Sequence, residues 1–264
     1  MSNGVLYQHF HADERYFIER CLDWIEQVEN NFSVITTYFL NPREVQILQS
    51  LVNKRELQIF SSQDFAATEL SKLILAPTFY ELDEQDFDIS LLEIRYPAKF
   101  YHLTHSQVLG TFLGQAGVKR QELGDIFVTD EKVQLFVSHH LLETFQTIEK
   151  IAKATVQIRE IDFSNLLEVD NTATREVVLL SSLRIDKIIS VCFNLSRNIA
   201  TDMLKFKKVK INYFEVEKKD FSVNKDDLIS VRGFGRIKIL DILGMTKKGK
   251  QRVEVEIIRN HRKM

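Results

Sequence analysis

The chain has 264 residues, of which 44% are hydrophobic and 27% are charged. This composition is typical of a soluble globular protein rather than a disordered one, and the length allows two or three small domains. No stretch reaches the roughly 18 uninterrupted apolar residues of a membrane span, and the N-terminus lacks the basic-then-apolar pattern of a signal peptide. We therefore expect a cytoplasmic protein that does not associate with membranes.

The charge is distributed unevenly along the chain. Residues 1–177 hold 15 Lys and Arg against 27 Asp and Glu, a balance of −12, whereas residues 178–264 hold 20 against 10, a balance of +10. Clustered Lys and Arg gain affinity for nucleic acid by displacing counterions from phosphates. The sign reversal favours a polyanion-binding domain attached to an acidic body, and a merely solvated basic face is the second interpretation.

The N-terminal residues predict a small α/β domain over residues 1–77. Phe17, Cys21 and Trp24 recur at three- and four-residue spacings behind a candidate N-cap at Asp13, which indicates an amphipathic helix. A strand, a helix, a strand and a helix are predicted to follow over residues 33–40, 41–54, 56–62 and 65–75.

The next predicted domain covers residues 78–170, after an acidic connection over 78–86. Its elements have the order β-α-β-β-α-β, over residues 88–94, 106–117, 125–129, 132–138, 140–152 and 155–162. This order is that of ferredoxin-like sheets, an architecture that many RNA-recognition domains share. We therefore predict a central domain like an RNA-recognition motif, although the order of elements alone does not establish a function.

A polar stretch over residues 171–176 precedes the third predicted domain, residues 178–264. Two helices over 184–193 and 196–206 are followed by short alternating segments punctuated by glycines, which predict a small antiparallel sheet. The whole chain is therefore predicted to be of the α+β class.

We find no pattern that supports catalysis, a metal or a cofactor. The seven histidines include three pairs, His9 and His11, His102 and His105, and His139 and His140, but none has a recognised zinc-ligand spacing. Cys21 and Cys192 are far apart and are expected to be buried reduced thiols. No nucleophile lies in a glycine-flanked turn, and Gly110, Gly114 and Gly117 lack the spacing of a phosphate-binding loop. They are expected to let a helix approach the sheet and then to end that helix.

The basic residues of the third domain have a specific arrangement. Ser196 is predicted to cap the second helix and to present Arg197 at its N-terminus, where backbone N–H groups favour a phosphate. Arg184 and Lys187 share a face of the first helix, and Asp186 between them is better placed to orient a basic side chain than to meet RNA. Further predicted RNA-binding residues are Lys205, Lys207, Lys208 and Lys210, and a secondary contact is predicted at His102, His105, Lys119 and Arg120. The apolar underside is assigned to Ile185, Ile188, Ile189, Leu195, Ile199, Met203 and Leu204.

Four stretches of this region resemble the small RNA-binding fold named after ribosomal small-subunit protein S-four. They are "RIDKII", "SRNIATDML", "VKIN" and "DDLISVRGFGR", and the last contributes Arg232 and Arg236 to the predicted RNA-binding set. In that fold the pattern is an Arg-Leu-Asp-Lys helix, a helix capped by Ser-Arg, a Val-x-Val-Asn strand and a turn into a strand that ends in Val-Arg. Lys207 and Tyr213 stand where glycines are usual.

The stretch "LTHSQVLGTFLGQAGVKRQELGDIFV", together with "RGFGR", resembles the YlmH family of Gram-positive bacteria. The resemblance extends over nearly the whole chain. Members combine an N-terminal α/β domain, a central domain like an RNA-recognition motif and an S-four domain, and they are encoded near cell-division genes. The resemblance implies binding of ribosomal RNA and tRNA on the large ribosomal subunit. It implies in particular a role on split subunits that hold an obstructed peptidyl-tRNA during ribosome-associated quality control.

Three hypotheses therefore stand. The first is a non-enzymatic, cofactor-free and monomeric RNA-binding factor. The second is an RNA-modifying enzyme of the pseudouridine synthase or methyltransferase type, because S-four domains are often attached to such enzymes. The third is a cell-division-linked scaffold that binds protein partners through the acidic body.

Overall fold

The structure is a computed structural model that describes residues 14–53, 55–115, 117–167 and 173–259. The chain divides into two compact units, unit 1 (Met1–Val169) and unit 2 (Asp170–Met264). Helices and antiparallel sheets occur in both units, so the chain is of the α+β class. No helix among the described residues is long and apolar enough to cross a membrane.

The first part of unit 1 packs two helices against a three-stranded antiparallel sheet of order β1-β3-β2. Its elements are α1 (Arg15–Asn31), β1 (Ile35–Thr36), α2 (Pro42–Val52), β2 (Leu57–Ser61) and β3 (Leu73–Pro77). The predicted spacing is confirmed for α1, since Phe17, Cys21 and Trp24 are buried. Asn41 and Glu44 form a capping box at the start of α2. The N-cap predicted at Asp13 lies outside the described residues.

Two predictions for this part need correction. The helix predicted over 65–75 is wrong, because residues 65–72 form no helix beyond a short turn and the last three residues begin β3, the central strand of the sheet. Leu73, Ile74 and Leu75 are all fully buried, and a strand buried on both faces lacks the alternation that distinguishes it from a helix. The strand predicted over 33–40 is reduced to β1 and a single bridge at Leu40.

The central part of unit 1 is a four-stranded antiparallel sheet of order β5-β6-β4-β9. Its elements are β4 (Ile89–Arg95), α3 (His105–Gln115), β5 (Leu123–Val128), β6 (Lys132–Ser138), α4 (Leu142–Gln146), β7 (Lys150–Ile151), β8 (Ala154–Thr155) and β9 (Gln157–Ile161). The helix predicted over 140–152 is shorter than expected. Its last residues instead form the β7–β8 hairpin, whose turn contains Ala152 at φ 53°.

The glycines of α3 do not have the packing role that their spacing suggested. A Cβ atom on Gly110 or Gly114 would meet no atom within 4 Å, so neither glycine mediates a close approach to the sheet. Gly117, at φ 62°, does follow the end of the helix in the left-handed conformation that glycine tolerates.

The face of the central sheet away from α3 and α4 is closed by other residues of unit 1. Leu91 and Phe136 are buried on this face and pack with Phe39 of the first part. Phe163, which follows β9, stacks on Phe65 with 5.6 Å between ring centroids and lies 5.8 Å from the ring of Phe136. The middle of this face is therefore inaccessible to an external ligand.

Unit 2 packs two helices on one face of a six-stranded antiparallel sheet of order β10-β15-β14-β13-β11-β12. Its elements are β10 (Ala173–Leu180), α5 (Ile185–Cys192), α6 (Arg197–Lys205), β11 (Val209–Ile211), β12 (Phe214–Glu215), β13 (Leu228–Val231), β14 (Gly235–Met245) and β15 (Gln251–Arg259). Both predicted helices are confirmed. The polar stretch that precedes the third predicted domain forms, from Ala173 onward, the strand β10, which pairs with β15.

Gly235, the first residue of β14, lies too close to the backbone of β15 for a side chain. It has φ 137°, and a Cβ atom there would lie 1.9 Å from the carbonyl oxygen of Ile258. Any side chain at this position would force β14 and β15 apart, so packing requires the second glycine of the "RGFGR" stretch.

Candidate nucleic-acid interface

The basic end of unit 2 is organised around one buried carboxylate, Asp186, whose side chain is 0% exposed. Arg184 donates two hydrogen bonds to it, from Nε to Oδ1 at 3.0 Å and from Nη2 to Oδ2 at 3.1 Å. Arg197 donates a third, from Nε to Oδ2 at 3.0 Å. Asp186 therefore fixes the guanidinium groups at the starts of both helices, in agreement with the orienting role predicted for it.

The electrostatics of this triad keep the carboxylate charged. Burial by itself raises the pKa of Asp186, but the hydrogen bonds and charges of Arg184 and Arg197 outweigh it and hold the pKa below its ordinary value. The two arginines remain partly in solvent, with side chains 30% and 55% exposed. Asp186 thus orients both guanidiniums and leaves part of each available to an anion.

The corner between α5 and α6 places Arg197 as the sequence predicts. Asn194, at φ 51°, ends α5, and the N–H of Leu195 donates to the carbonyl of Ser190 at 2.9 Å. The Ser196 hydroxyl oxygen then accepts the N–H of Ile199 at 3.2 Å and caps α6. Arg197 is the first residue of α6, where free backbone N–H groups and the helix dipole favour an anion.

Further cations lie on the two helices, Lys187 on α5 and Lys205 on α6. Lys187 is held by a hydrogen bond of 2.6 Å from its Nζ to the hydroxyl of Ser181. A cleft of about 510 Å³ runs along α6 and is lined by Arg197, Lys205 and Lys219, among others. Sequence reasoning missed Lys219, which lies between β12 and β13. Its one signal was the pair Lys218-Lys219, and only the fold shows that this loop returns to α6.

A second group of predicted residues lies where α6 meets the sheet. Lys207 has its Nζ 3.2 Å from Oε1 of Glu217, and Lys208 lies 5.8 Å over the ring of Phe206. The N–H of Arg232 donates to the carbonyl of Lys208 at 2.8 Å, so the turn after β13 lies against this corner. The structure therefore brings Lys207, Lys208 and Arg232 together.

Lys210 and Arg236 do not belong to the helical side. They occupy one row of the sheet, since both lie opposite Ser230 in the register. Their neighbours in sequence, such as Val209 and Ile237, are buried against the helices, so Lys210 and Arg236 lie on the opposite face. Of the predicted RNA-binding residues, Lys210 and Arg236 therefore lie on the other face of the sheet from Arg184 and Arg197. The predicted apolar underside needs a correction, because Ile199 is 44% exposed.

Both positions at which the resemblance to the S-four fold predicts a glycine adopt a backbone conformation that glycine would favour. Lys207 has φ 54°, and its N–H donates to the carbonyl of Leu204 at 3.0 Å in the turn that ends α6. Tyr213 has φ 74° and follows Asn212, at φ 45°, in the two-residue turn between β11 and β12. Both turns therefore form without glycine, and the backbone of Lys207 and Tyr213 is strained because these residues adopt the left-handed conformation.

The secondary contact predicted in unit 1 is not a single cluster. His102 and His105 lie before and at the start of α3, whereas Lys119 and Arg120 follow its end. An 11-residue helix is about 16 Å long and separates the two pairs. Arg120 also donates a hydrogen bond from Nη1 to the carbonyl of Leu123, so part of its guanidinium is engaged within unit 1.

The cysteines and histidines of the described residues offer no metal site. Cys21 and Cys192 are free and buried, as predicted, and burial raises the pKa of each thiol to about 12. Within residues 14–53, 55–115, 117–167 and 173–259, no group of three or more His, Cys, Asp or Glu could hold a metal ion. His9 and His11 lie outside the described residues.

Comparison with known proteins gives consistent matches. Residues 13–80 match a family model described as "YlmH, N-terminal", and residues 83–165 match one described as "Putative RNA-binding domain in YlmH". The chain is 35% identical over 254 residues to the "Ribosome-associated protein quality control protein P2" of Bacillus subtilis (strain 168), covering 95% of this chain and 98% of that protein. Among solved structures, the "Cell division protein ylmH from Streptococcus pneumoniae" matches with a TM-score of 0.55 and 34% identity. That match covers 62% of this chain and 99% of the other.

Proposed function

Because the chain belongs to the YlmH family, we propose that it is a ribosome-associated RNA-binding protein that acts without catalysis on the large ribosomal subunit and on tRNA. Its role would be the rescue of obstructed peptidyl-tRNA complexes. The name of the B. subtilis relative supports the association with ribosomes, and the description of the second family model supports RNA binding. The protein would act as a monomer and without a cofactor.

The observation that carries this proposal is the Asp186 triad. Arg184 and Arg197 are held by one buried carboxylate, at the N-terminal ends of two helices, in the part of the chain with a charge balance of +10. Guanidinium groups in a fixed orientation match the geometry of RNA phosphates. Lys187, Lys205 and Lys219 extend this surface, and Lys207, Lys208 and Arg232 continue it at the end of α6.

We propose three domains, at residues 1–77, 78–170 and 178–264, which differ in their part in RNA binding. The central sheet has the order of strands expected of a ferredoxin-like domain, which supports the likeness to an RNA-recognition motif. Such motifs stack bases on the open face of their sheet, but here Leu91 and Phe136 are buried on that face. We therefore assign the main RNA contact to the helical side of unit 2.

The test is binding of the full chain to purified large ribosomal subunits over a range of salt concentrations. Lys187→Ala combined with Arg197→Ala should weaken binding and reduce the slope of log K against log salt by about 1.4–1.8, if each residue neutralises one phosphate. The charge-matched control is Arg15→Ala with Arg20→Ala, two exposed positions of α1. An unchanged slope in the first variant, with the fold intact, would overturn the proposal.

The name of the S. pneumoniae protein keeps a cell-division role open as a second candidate. A scaffold would bind division proteins independently of RNA. Division proteins should then still co-purify with the tagged full chain after ribonuclease treatment. In the proposed function, the Lys187→Ala, Arg197→Ala variant loses its partners together with the ribosome.

A further inference from the structure

A second pair of cations is held by a buried carboxylate, this time in the central sheet of unit 1. The carboxylate is Glu93 on β4, whose side chain is 5% exposed. Arg95 donates from Nε to its Oε1 at 2.6 Å, and Lys132 donates from Nζ to its Oε2 at 2.8 Å. The two basic side chains are 59% and 37% exposed, so each is oriented by Glu93 and still reaches solvent.

The strand register adds a third cation to this pair. Arg159 on β9 lies opposite Glu93, and Arg95 lies between Lys132 on β6 and Gln157 on β9. Opposite residues and residues two apart share a face of a sheet, so all of these side chains lie on one face. Arg159 is exposed and forms no hydrogen bond or ion pair with Glu93, but its Nη2 donates to Oε1 of Gln157 at 2.8 Å.

This cluster lies at the open end of the face that is otherwise closed. Leu91, the next residue of β4 on the same face, is covered by the first part of unit 1, whereas Arg95 and Arg159 are exposed. Three cations and one carboxylate give a local charge of +2, although residues 1–177 have a balance of −12. The next acidic residue of β9, Glu160, lies on the opposite face, where it accepts a hydrogen bond from Ser90.

We propose that Arg95, Lys132 and Arg159 form a second RNA contact, which binds backbone phosphates. The inference rests on the proposed function and names residues that would carry it within residues 83–165, the region that matches the family model described as a putative RNA-binding domain. Glu93 restricts the motion of Arg95 and Lys132 before binding, which lowers the entropy lost when a phosphate is bound. Because the aromatic middle of the sheet is closed, this contact positions RNA without reading its bases.

The experiment measures binding of the full chain to large ribosomal subunits and to a 20-base-pair RNA duplex, each across a salt series. Arg95→Gln with Arg159→Gln should reduce the slope of log K against log salt by about 1.4–1.8 on at least the ribosomal probe. Arg159→Gln alone leaves both ion pairs of Glu93 intact and should give about half that reduction. Lys150→Gln with Lys153→Gln, on exposed residues of the β7–β8 hairpin, removes the same charge and should leave the slope unchanged.

The same variants separate this inference from the proposed function. If Lys187→Ala with Arg197→Ala weakens binding while Arg159→Gln and Arg95→Gln do not, the function stands and the second contact is overturned. If the wild-type chain itself shows no salt-dependent binding, both are overturned. Poly-glutamate serves as a third probe. If the variants reduce the slope of log K against log salt for poly-glutamate but not for RNA, the cluster binds an acidic protein and the inference is overturned.

Discussion

Replacing Asp186 by asparagine separates two contributions to RNA binding, orientation and net charge. The substitution preserves the size of the side chain but removes the charge that holds Arg184 and Arg197. It also makes unit 2 more positive by one charge. If net charge governed affinity, the variant would bind RNA more tightly. If the orientation of Arg197 governs it, the variant binds less tightly despite the added charge.

The effect on stability follows from the geometry of the triad. Three hydrogen bonds end on one ionised, fully buried carboxylate, and hydrogen bonds to charged groups contribute about 1.5–3 kcal/mol each. Asparagine keeps one acceptor, and the partly exposed guanidiniums regain water. We therefore expect a loss of about 2–3 kcal/mol. For a unit of this size that loss lowers the melting temperature by roughly 10–20 °C.

The pH dependence of this loss has a definite sign. The pKa of Asp186 is held below its ordinary value in the folded chain, so its stabilising contribution is complete above the unfolded pKa of about 3.9. The contribution disappears as the pH falls through the lower folded pKa. The difference in free energy of unfolding between the wild type and Asp186→Asn should therefore decrease and disappear as the pH falls below about 4.

Hydrogen exchange of the peptides covering α5 and α6 reports the stability of unit 2. Fluorescence of Trp24, the single tryptophan, reports unit 1 and should not change. Asp202→Asn is the charge-matched control: Asp202 lines the same cleft and pairs with Lys205 at 3.9 Å, but it forms no hydrogen bond or ion pair with either arginine of the triad. Tighter or unchanged RNA binding by Asp186→Asn, with protection of α5 and α6 unaltered, would refute the orienting role of the carboxylate.

Three further substitutions test other parts of the structure. Lys207→Gly should be more stable than Lys207→Ala by about 1 kcal/mol in urea unfolding, because only glycine is unstrained at φ 54°. Gly235→Ala should destabilise unit 2 by more than about 3 kcal/mol, since its Cβ would overlap the carbonyl of Ile258, and amide exchange in β14 and β15 measures this loss. Glu93→Gln should destabilise unit 1 by about 1–2 kcal/mol at neutral pH by Trp24 fluorescence, after allowance for the exposure of its partners. Because hydrogen bonds from Lys132 and Arg95 lower the pKa of Glu93 to about 2, that difference should vanish between about pH 4.5 and pH 2.

The helical corner of unit 2 could be predicted from the sequence because its determinants are local. Ser196 caps the helix three residues ahead of the N–H that it accepts, and Asn194 supplies the left-handed residue that ends α5. Asp186 lies two residues from Arg184 in the chain. Each of these contacts depends on neighbours within a turn or two, where spacing alone constrains the geometry.

The elements that could not be predicted depend on distant partners. Strand β3 has the apolar run of a buried helix, and its identity as a strand comes from pairing with both β1 and β2. Strand β10 alternates polar and apolar residues weakly, and it is ordered by β15, about 80 residues later in the chain. Likewise Glu93 and Lys132 meet only because β4 and β6 are adjacent in the sheet. No local period of the sequence contains that information.

The two buried carboxylates indicate how this chain could build the proposed RNA-binding surfaces without a glycine-rich loop, and without a cluster of metal ligands in the part that the structure describes. An exposed lysine or arginine loses rotamer entropy when it grips a phosphate. At Asp186 and Glu93 part of that entropy is lost on folding, because each carboxylate already fixes two cations. Each carboxylate also adds one negative charge to its own surface, so the arrangement favours geometry over total charge. If these surfaces bind RNA as proposed, removing an acidic residue should weaken the binding of an anion.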